Sequence, residues 1–497
     1  MLLADLLAGH HDDTGRALAL EATGVAYDSR RVQPGDVFVA LKGARVDAHD
    51  RLADAVRQGA VAVVVSAEWR AEHPEDLGVP TVPVEAPRFV LSELADRFYG
   101  HPSRAFSVVG VTGTNGKTTT THLIEAILHE AGKTTGLIGT LGSRFAGGSA
   151  GGSKVSIETG HTTPQALELQ GLFAQMRRSG VDAVVMEVSS HALEQARVAH
   201  AAFDVGVFTN LTVDHLDYHG TMEAYGAAKA LLFEGLSETG RAVINRDDPA
   251  AERFAAASAA PVLTYSAQGA AADLMAEDLS LHAGGSRWTL VTPEGRAQVS
   301  LRLPGLFNVS NALAAAGAAL ASGVDLEAIA RGLCQVGGVP GRVEVVTAAD
   351  HPYAVLVDYA HTPDGLENVL RTARAFTRGR LMVVFGCGGD RDATKRPMMG
   401  RVASQGADRV YLTSDNPRSE DPQAIIAQVA EGLDGSYEAF ADRREAIRAA
   451  VQAARPGDVV VIAGKGHETY QIIGDKTLPF DDREVAREAI AERAVAR

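Results

Sequence analysis

The sequence predicts an α/β protein of three domains. The central domain has a P-loop-type, mainly parallel sheet with helices on both faces, the C-terminal domain is Rossmann-like, and a smaller domain precedes them. Three observations carry this. Short apolar runs alternate with helical stretches from about residue 106, the pattern of a parallel sheet covered by helices. A Gly-rich turn, Thr112-Gly113-Thr114-Asn115-Gly116-Lys117-Thr118-Thr119, follows the first of those runs and leads into a helix. A second alternating series begins after Val339-Pro340-Gly341-Arg342, which reads as a linker or turn. The expected boundaries within the 497 residues are 1–98, 99–338 and 339–497.

In the first region, strands are expected at 37–41 and 61–65, separated by turns such as Gln33-Pro34-Gly35-Asp36. In the second, Ser107 to Val111 is a strand, the Gly-rich turn follows, and Thr121 to Ala131 is an amphipathic helix. Buried strands are expected at 183–187 and 205–209, and the Gly- and Ser-rich run 147–153 reads as a flexible loop. In the third, strands are expected at 354–357, 381–385, 409–413 and 459–463, with helices at 365–377 and 445–454 between them.

Composition limits the functions available. Forty-seven Lys and Arg against 62 Asp and Glu give a net charge of −15, which argues against coating nucleic acid. An anionic substrate would need a local cluster of cations. Two cysteines, Cys334 and Cys387, are too few for a disulfide framework or a thiolate metal site, and a reducing cytoplasm is expected. The start, MLLADLLAGHHDD, has no basic segment before its leucines and meets Asp5 at once, so a signal peptide is not expected. The charge-free stretches 254–272 and 304–324 are too polar or too rich in Ala and Gly to span a bilayer.

The Gly-rich turn is the strongest chemical signal. Backbone N–H groups of such a turn point at phosphates, with the positive end of a helix behind them. Lys117 would reach the outer phosphates and the Thr118 hydroxyl would hold Mg²⁺. The strict P-loop spacing fails at one place, where Val111 stands instead of glycine. Glu187, at the end of a buried strand, is a natural Mg²⁺ ligand. The His-rich segment from Thr209 to His219, with Asp214 and Asp217, follows another. Lys229 by itself reads as a solvated helix charge. In the third region the loops 386–392, 415–418 and 464–468 end three strands of one sheet and should meet in one crevice. Its Arg391, Asp415, Asn416, Arg418 and Glu468 suit a zwitterion, guanidinium for carboxylate and carboxylate for ammonium. The competing reading is a surface of unrelated solvated charges.

These residues resemble the Mur ligase family across essentially the whole chain. The matching strings are Asp28-Ser29-Arg30, TGTNGKTTT, Thr162-Thr163-Pro164, EVSSHALEQARV, TNLTVDHLDYHG, the Lys229 helix, LFNVSN, PGRVE, DYAHTPD, GCGGDRD, DNPR and GKGHE. The resemblance implies a peptidoglycan-precursor amide ligase using ATP and Mg²⁺. It extends UDP-MurNAc-L-Ala-D-Glu through an acyl phosphate, as a monomer without membrane insertion. By the same resemblance Gly113, Thr114, Asn115, Gly116, Lys117, Thr118, Thr119, Asn311, Arg342 and Asp358 meet ATP. Ser29, Thr162, Thr163, Ser189, Gln195 and Arg197 meet the UDP-MurNAc-dipeptide. Thr118 and Glu187 hold one Mg²⁺ and His215 a second, and Lys229 carries a CO₂-derived carbamate that helps hold the second. Lys117, His215 and Lys229 are the implied catalytic groups.

Arg391, Asp415, Asn416, Arg418, Gly464 and Glu468 line the implied amino-acid pocket. Asp415-Asn416-Pro417-Arg418 matches the members that add meso-diaminopimelate, whose second carboxylate a guanidinium fork can bind. L-Lysine or L-ornithine are the alternatives. A folylpolyglutamate synthetase-like ligase or a P-loop ATPase explains fewer of the strings.

Overall fold

The computed structural model describes every residue except 17–19, 44–45, 147–153, 158–159, 283, 349–350 and 496–497. The expected loop at 147–153 lies outside the described residues. Among the described residues three large sheets follow one another along the chain, and a two-stranded hairpin, Tyr470–Ile473 with Lys476–Pro479, follows them. The first has four parallel strands in sequential order, Gly24–Ala26, Asp36–Val39, Ala62–Ser66 and Thr81–Val84.

Among the described residues the central sheet has eleven strands. Its middle is Ser107–Thr112, flanked in parallel by Val205–Phe208 and Ala183–Glu187. Parallel pairing continues outward to Leu274–His282 on one side and Thr135–Gly139 on the other. Beyond those strands, hairpins add antiparallel edges at both ends. The third sheet runs Glu344–Val345, Ala354–Asp358, Val459–Ala463, Leu381–Phe385, Arg409–Thr413, Tyr437–Phe440, parallel except at its first pair.

A parallel sheet is buried on both faces, and its strands are near-continuous apolar runs. Here Val109 and Val111 face Leu123, Ile124 and the Ala-rich helix Leu306–Ala321, while Val108, Val184 and Phe208 face Phe173, Met176 and Phe233. Neither charge-free stretch is a span: 304–324 holds that buried sixteen-residue helix. No helix among the described residues is long and apolar enough to cross a membrane.

One expected boundary is corrected. The helix after the Gly-rich turn is Lys117–Glu130, beginning at the lysine and not at Thr121. Four threonines in a row have poor helix propensity and read as loop. Thr118, Thr119, Thr120 and Thr121 are nevertheless all buried against neighbouring elements, and that packing outweighs propensity.

In the third domain a fully buried ion pair fixes the strand ends. Arg443 donates through Nε and Nη2 to Asp482 at 2.8 and 2.7 Å, and through its remaining N–H groups to the carbonyls of Ala463 and Ser414. Those two residues precede the loops that begin Gly464-Lys465 and Asp415-Asn416. Removing one partner strands a charge in the interior. Asp482→Ala should therefore cost the C-terminal domain about 3–5 kcal/mol, measured as a lower urea midpoint for its unfolding. The double variant Arg443→Met/Asp482→Leu should recover most of that loss.

Candidate active site

The turn after Ser107–Thr112 is shaped by two glycines at positive φ, Gly113 at 149° and Gly116 at 88°. A Cβ on Gly113 would lie 1.9 Å from Thr209 Oγ1, and one on Gly116 2.4 Å from Asn311 Oδ1. Val111, where the strict motif has glycine, is a buried residue of the strand paired with Glu187 and Val207. The turn is thus shorter than the strict motif and starts two residues later, at Gly113. It is clasped by the next strand end: the Thr114 N–H donates to Asn210 O at 2.8 Å, the Asn115 N–H to Asn210 Oδ1 at 2.9 Å, and Thr209 Oγ1 to Asn115 O at 2.6 Å.

Two lysines meet at this turn. Lys117 Nζ donates to the carbonyls of Gly113 and Thr114 at 2.8 and 2.9 Å, and Lys229 Nζ donates to that of Gly113 at 2.9 Å. Lys229 is 1% exposed, so its reading as a solvated helix charge is wrong. It lies on the inward face of Met222–Glu234, 4.4 Å from the Tyr225 ring centroid. Burial, and then the nearby Lys117 cation, push its pKa well below the ordinary lysine value. Among the described residues no carboxylate pairs with it.

Glu187, 1% exposed, accepts hydrogen bonds from the Thr118 and Thr140 hydroxyls at 3.0 and 3.1 Å and from the Thr140 N–H at 2.8 Å. A buried carboxylate beside a hydroxyl is a hard-oxygen donor set that fits Mg²⁺. No cluster of three or more His, Cys, Asp and Glu with metal-holding geometry occurs among the described residues. His215 caps the short helix Leu216–His219 from the left-handed region, with Nε2 3.4 Å from Asp214 Oδ2. Burial lowers its pKa against the pull of Asp214, so the imidazole is neutral and able to ligate.

The third domain closes over this turn. Arg342 Nη2 donates to Thr118 Oγ1 at 3.0 Å while its guanidinium stacks 4.7 Å from the Tyr359 ring centroid, and Asn115 Nδ2 donates to Asp364 at 2.7 Å. A cavity of about 280 Å³ between the domains is lined by Asn115, Gly116, Thr119, Asn311, Arg342 and Asp358. Asp358 accepts from the N–H groups of Val343 and Ala360, both at 2.7 Å, so its carboxylate organises the hinge.

A second cleft, about 510 Å³, brings Thr162, Thr163, Ser189, Arg197 and His215 opposite Arg391, Asp415, Asn416, Arg418, Gly464 and Glu468. The three loops expected to converge do so. Thr163 Oγ1 donates to Glu187 O, and Arg197 holds Thr163 O and Gln195 Oε1. Gln195 supports Arg197 and is not among the residues lining the cleft. Ser29 lies apart from both cavities, on the short 3₁₀ turn after strand Gly24–Ala26. A larger cavity, about 970 Å³, opens at the carboxyl ends of the other N-terminal strands, with Lys42, His49, Trp69 and Arg88 in its wall. Cys334 and Cys387 are both free thiols.

Sequence reasoning passed over four residues of this region. Lys395 Nζ approaches Asp214 Oδ1 at 3.8 Å across the domains, and His361 lines the same cleft. Asp364 and the fully buried Lys465 complete the set. His361, Asp364 and Lys465 stand inside matching strings and Lys395 lies just past GCGGDRD, but nothing in their spacing sets them apart from ordinary solvated groups.

The Mur ligase middle-domain family matches residues 111–319, the Mur ligase glutamate ligase domain 341–466, and the Mur ligase family catalytic domain 21–99. The chain is 51% identical to the UDP-N-acetylmuramoyl-L-alanyl-D-glutamate--2,6-diaminopimelate ligase of Gloeobacter violaceus, covering 99% of both chains. It is 50% identical to the enzyme of that name from Geobacillus thermodenitrificans over 94% of each. A solved structure of a ligase of the same name aligns at 36% identity and a TM-score of 0.69, covering 99% of both chains.

The turn geometry yields a direct test. Gly116→Ala forces a side chain into the left-handed region and against Asn311. It should cost about 1–2 kcal/mol of stability and weaken nucleotide binding roughly tenfold or more, read by thermal melting and calorimetric titration of Mg-ATP.

Proposed function

The chain belongs to the Mur ligase family, and from that premise we propose that it adds meso-diaminopimelate to the D-Glu of UDP-MurNAc-L-Ala-D-Glu. It does so with ATP and Mg²⁺, as a cytoplasmic monomer in peptidoglycan precursor synthesis. The observation that carries this reading is the cleft in which the Thr162–Arg197 side and the Arg418–Glu468 side face each other across Asp214 and His215, next to the P-loop turn.

The chemistry follows from what a carboxylate needs. It is a poor electrophile at neutral pH, so its oxygen first bonds to the γ-phosphorus of ATP as the bridge to ADP breaks. The amine nitrogen then attacks the acyl carbon, giving a tetrahedral intermediate that expels phosphate while the nitrogen loses its proton. The first step brings two anions together and depends on positioning and charge neutralisation. Lys117, now on two loop carbonyls, exchanges them for phosphate oxygens. Thr118 and Glu187 would hold Mg²⁺, which supplies further neutralisation of the phosphoryl oxygens when bound. Arg342 and Asn115 tie the third domain to the turn, and that closure excludes water from the acyl phosphate.

Lys229 carries a CO₂-derived carbamate in this reading. Burial pushes the pKa of its amine well below the ordinary lysine value, with no carboxylate partner among the described residues, which favours the neutral nitrogen that bonds to the carbon of CO₂ and gives up a proton. The product is an anion beside Lys117 and close to His215, where it can join His215 around a second cation. The dipeptide contacts are Thr162, Thr163, Ser189 and Arg197, with Gln195 behind Arg197. The UDP end sits on the N-terminal sheet, where Ser29 stands at a strand's carboxyl end.

Phosphate release with UDP-MurNAc-L-Ala-D-Glu and Mg-ATP tests the function, with meso-diaminopimelate, L-lysine or L-ornithine in separate reactions. Turnover is expected with diaminopimelate alone; turnover with lysine or ornithine instead would overturn the substrate. Arg418→Ala should raise KM for diaminopimelate about tenfold or more with little change for ATP, whereas equal shifts would make the arginine structural. Wild-type enzyme stripped of CO₂ should lose activity and regain it with bicarbonate. Lys229→Ala should stay inactive in either buffer, and a fully active Lys229→Ala would rule the carbamate out.

A further inference from the structure

The amino-acid side of the cleft contains a cation that no ligand reaches directly. Lys465 is 0% exposed, in a loop held by Gly464 at φ 119° and Gly466 at φ 55°. Its ammonium donates to Glu468 Oε2 at 3.0 Å and to Asn416 Oδ1 at 3.1 Å, and stands 3.7 Å from Asp415 Oδ1. Asn416 is consumed by this arrangement: its Oδ1 also accepts the Ile472 N–H at 2.9 Å, and its Nδ2 donates to Glu468 Oε2 at 2.9 Å. Asp415 and Glu468 line the cleft, as does Arg418, whose Nη1 is anchored on Gly389 O at 2.8 Å. The adjacent buried cation, Arg443, is already neutralised by Asp482. Facing the ligand from this side, therefore, are two carboxylates that share one buried lysine, and two arginines, Arg391 and Arg418.

We propose that Lys465 is a specificity-determining residue: by cancelling one of the two carboxylates, it matches the pocket to an amine whose far end carries both an ammonium and a carboxylate. This deepens the diaminopimelate reading and rests on it. An ammonium-only far end, as in lysine, brings a cation and nothing for Arg418, so it fits a pocket with two unbalanced anions better than one. Specificity here is a difference between two affinities, set by a charge placed against the wrong ligand as much as by contacts to the right one.

The test compares kcat/KM for meso-diaminopimelate and L-lysine in the full-length enzyme. Wild type is measured first; a preference for lysine would overturn the substrate reading and this proposal with it. In Lys465→Met, KM for diaminopimelate should rise and the diaminopimelate-to-lysine ratio should fall by about tenfold or more. KM for ATP and kcat at saturating diaminopimelate should stay within about threefold. Lys465→Met/Glu468→Gln, which removes one anion along with the cation, should move the ratio back toward wild type. It also decides the matter if the single variant fails to melt cooperatively. An unchanged ratio in folded Lys465→Met, equal losses for both amines, or no recovery in the double variant would overturn the proposal.

Discussion

Two lysine nitrogens donate to a single carbonyl oxygen, that of Gly113. Two ammonium ions so close together in a buried place repel strongly, and the pair is tolerable only if one gives up its charge. Lys229, sealed against Tyr225, has no partner carboxylate among the described residues, and burial with the nearby Lys117 pushes its pKa well below the ordinary lysine value. Much of the site follows from this. The turn brings its carbonyls toward the lysines because Gly113 and Gly116 occupy φ values closed to other residues. It approaches Thr209 and Asn311 so closely because neither glycine has a Cβ.

The third domain completes what the turn begins. Arg342 reaches Thr118, Asp364 reaches Asn115 and Lys395 approaches Asp214, so groups from both sides of the hinge surround the place where phosphate would sit. Each contact is polar and modest. Such contacts can be exchanged for ligand contacts more readily than an apolar interface can be opened, which suits a site that must admit three substrates and then close. Deeper in the third domain the logic is reversed: Arg443 and Asp482 are fully buried and mutually satisfied, and they hold the strand ends from which the Asp415 and Lys465 loops project.

Strands were legible in the sequence because parallel strands buried on both faces are short apolar runs with turn residues at their ends; 183–187, 381–385, 409–413 and 459–463 lie where those runs do. The start of the helix at Lys117 was not, because four consecutive threonines oppose helix locally and only packing overrides them. The antiparallel hairpins at both edges of the central sheet were missed for a related reason. The edge strand Gly295–Leu301, for example, is partly exposed and lacks a continuous apolar run.

By itself the sequence determined the buried parallel strands, the Gly-rich turn after Ser107–Thr112 and the strings shared with the Mur ligases. All of these are encoded in residues that neighbour one another along the chain. Only the tertiary structure decided that Lys229 is a buried amine and not a surface charge, that Asp358 organises the hinge, that Asn416 is committed to its own pocket, and that Lys465 sits between two carboxylates. A side chain's protonation and the partners of its donors depend on burial and on groups brought from distant parts of the chain, and no local spacing records either.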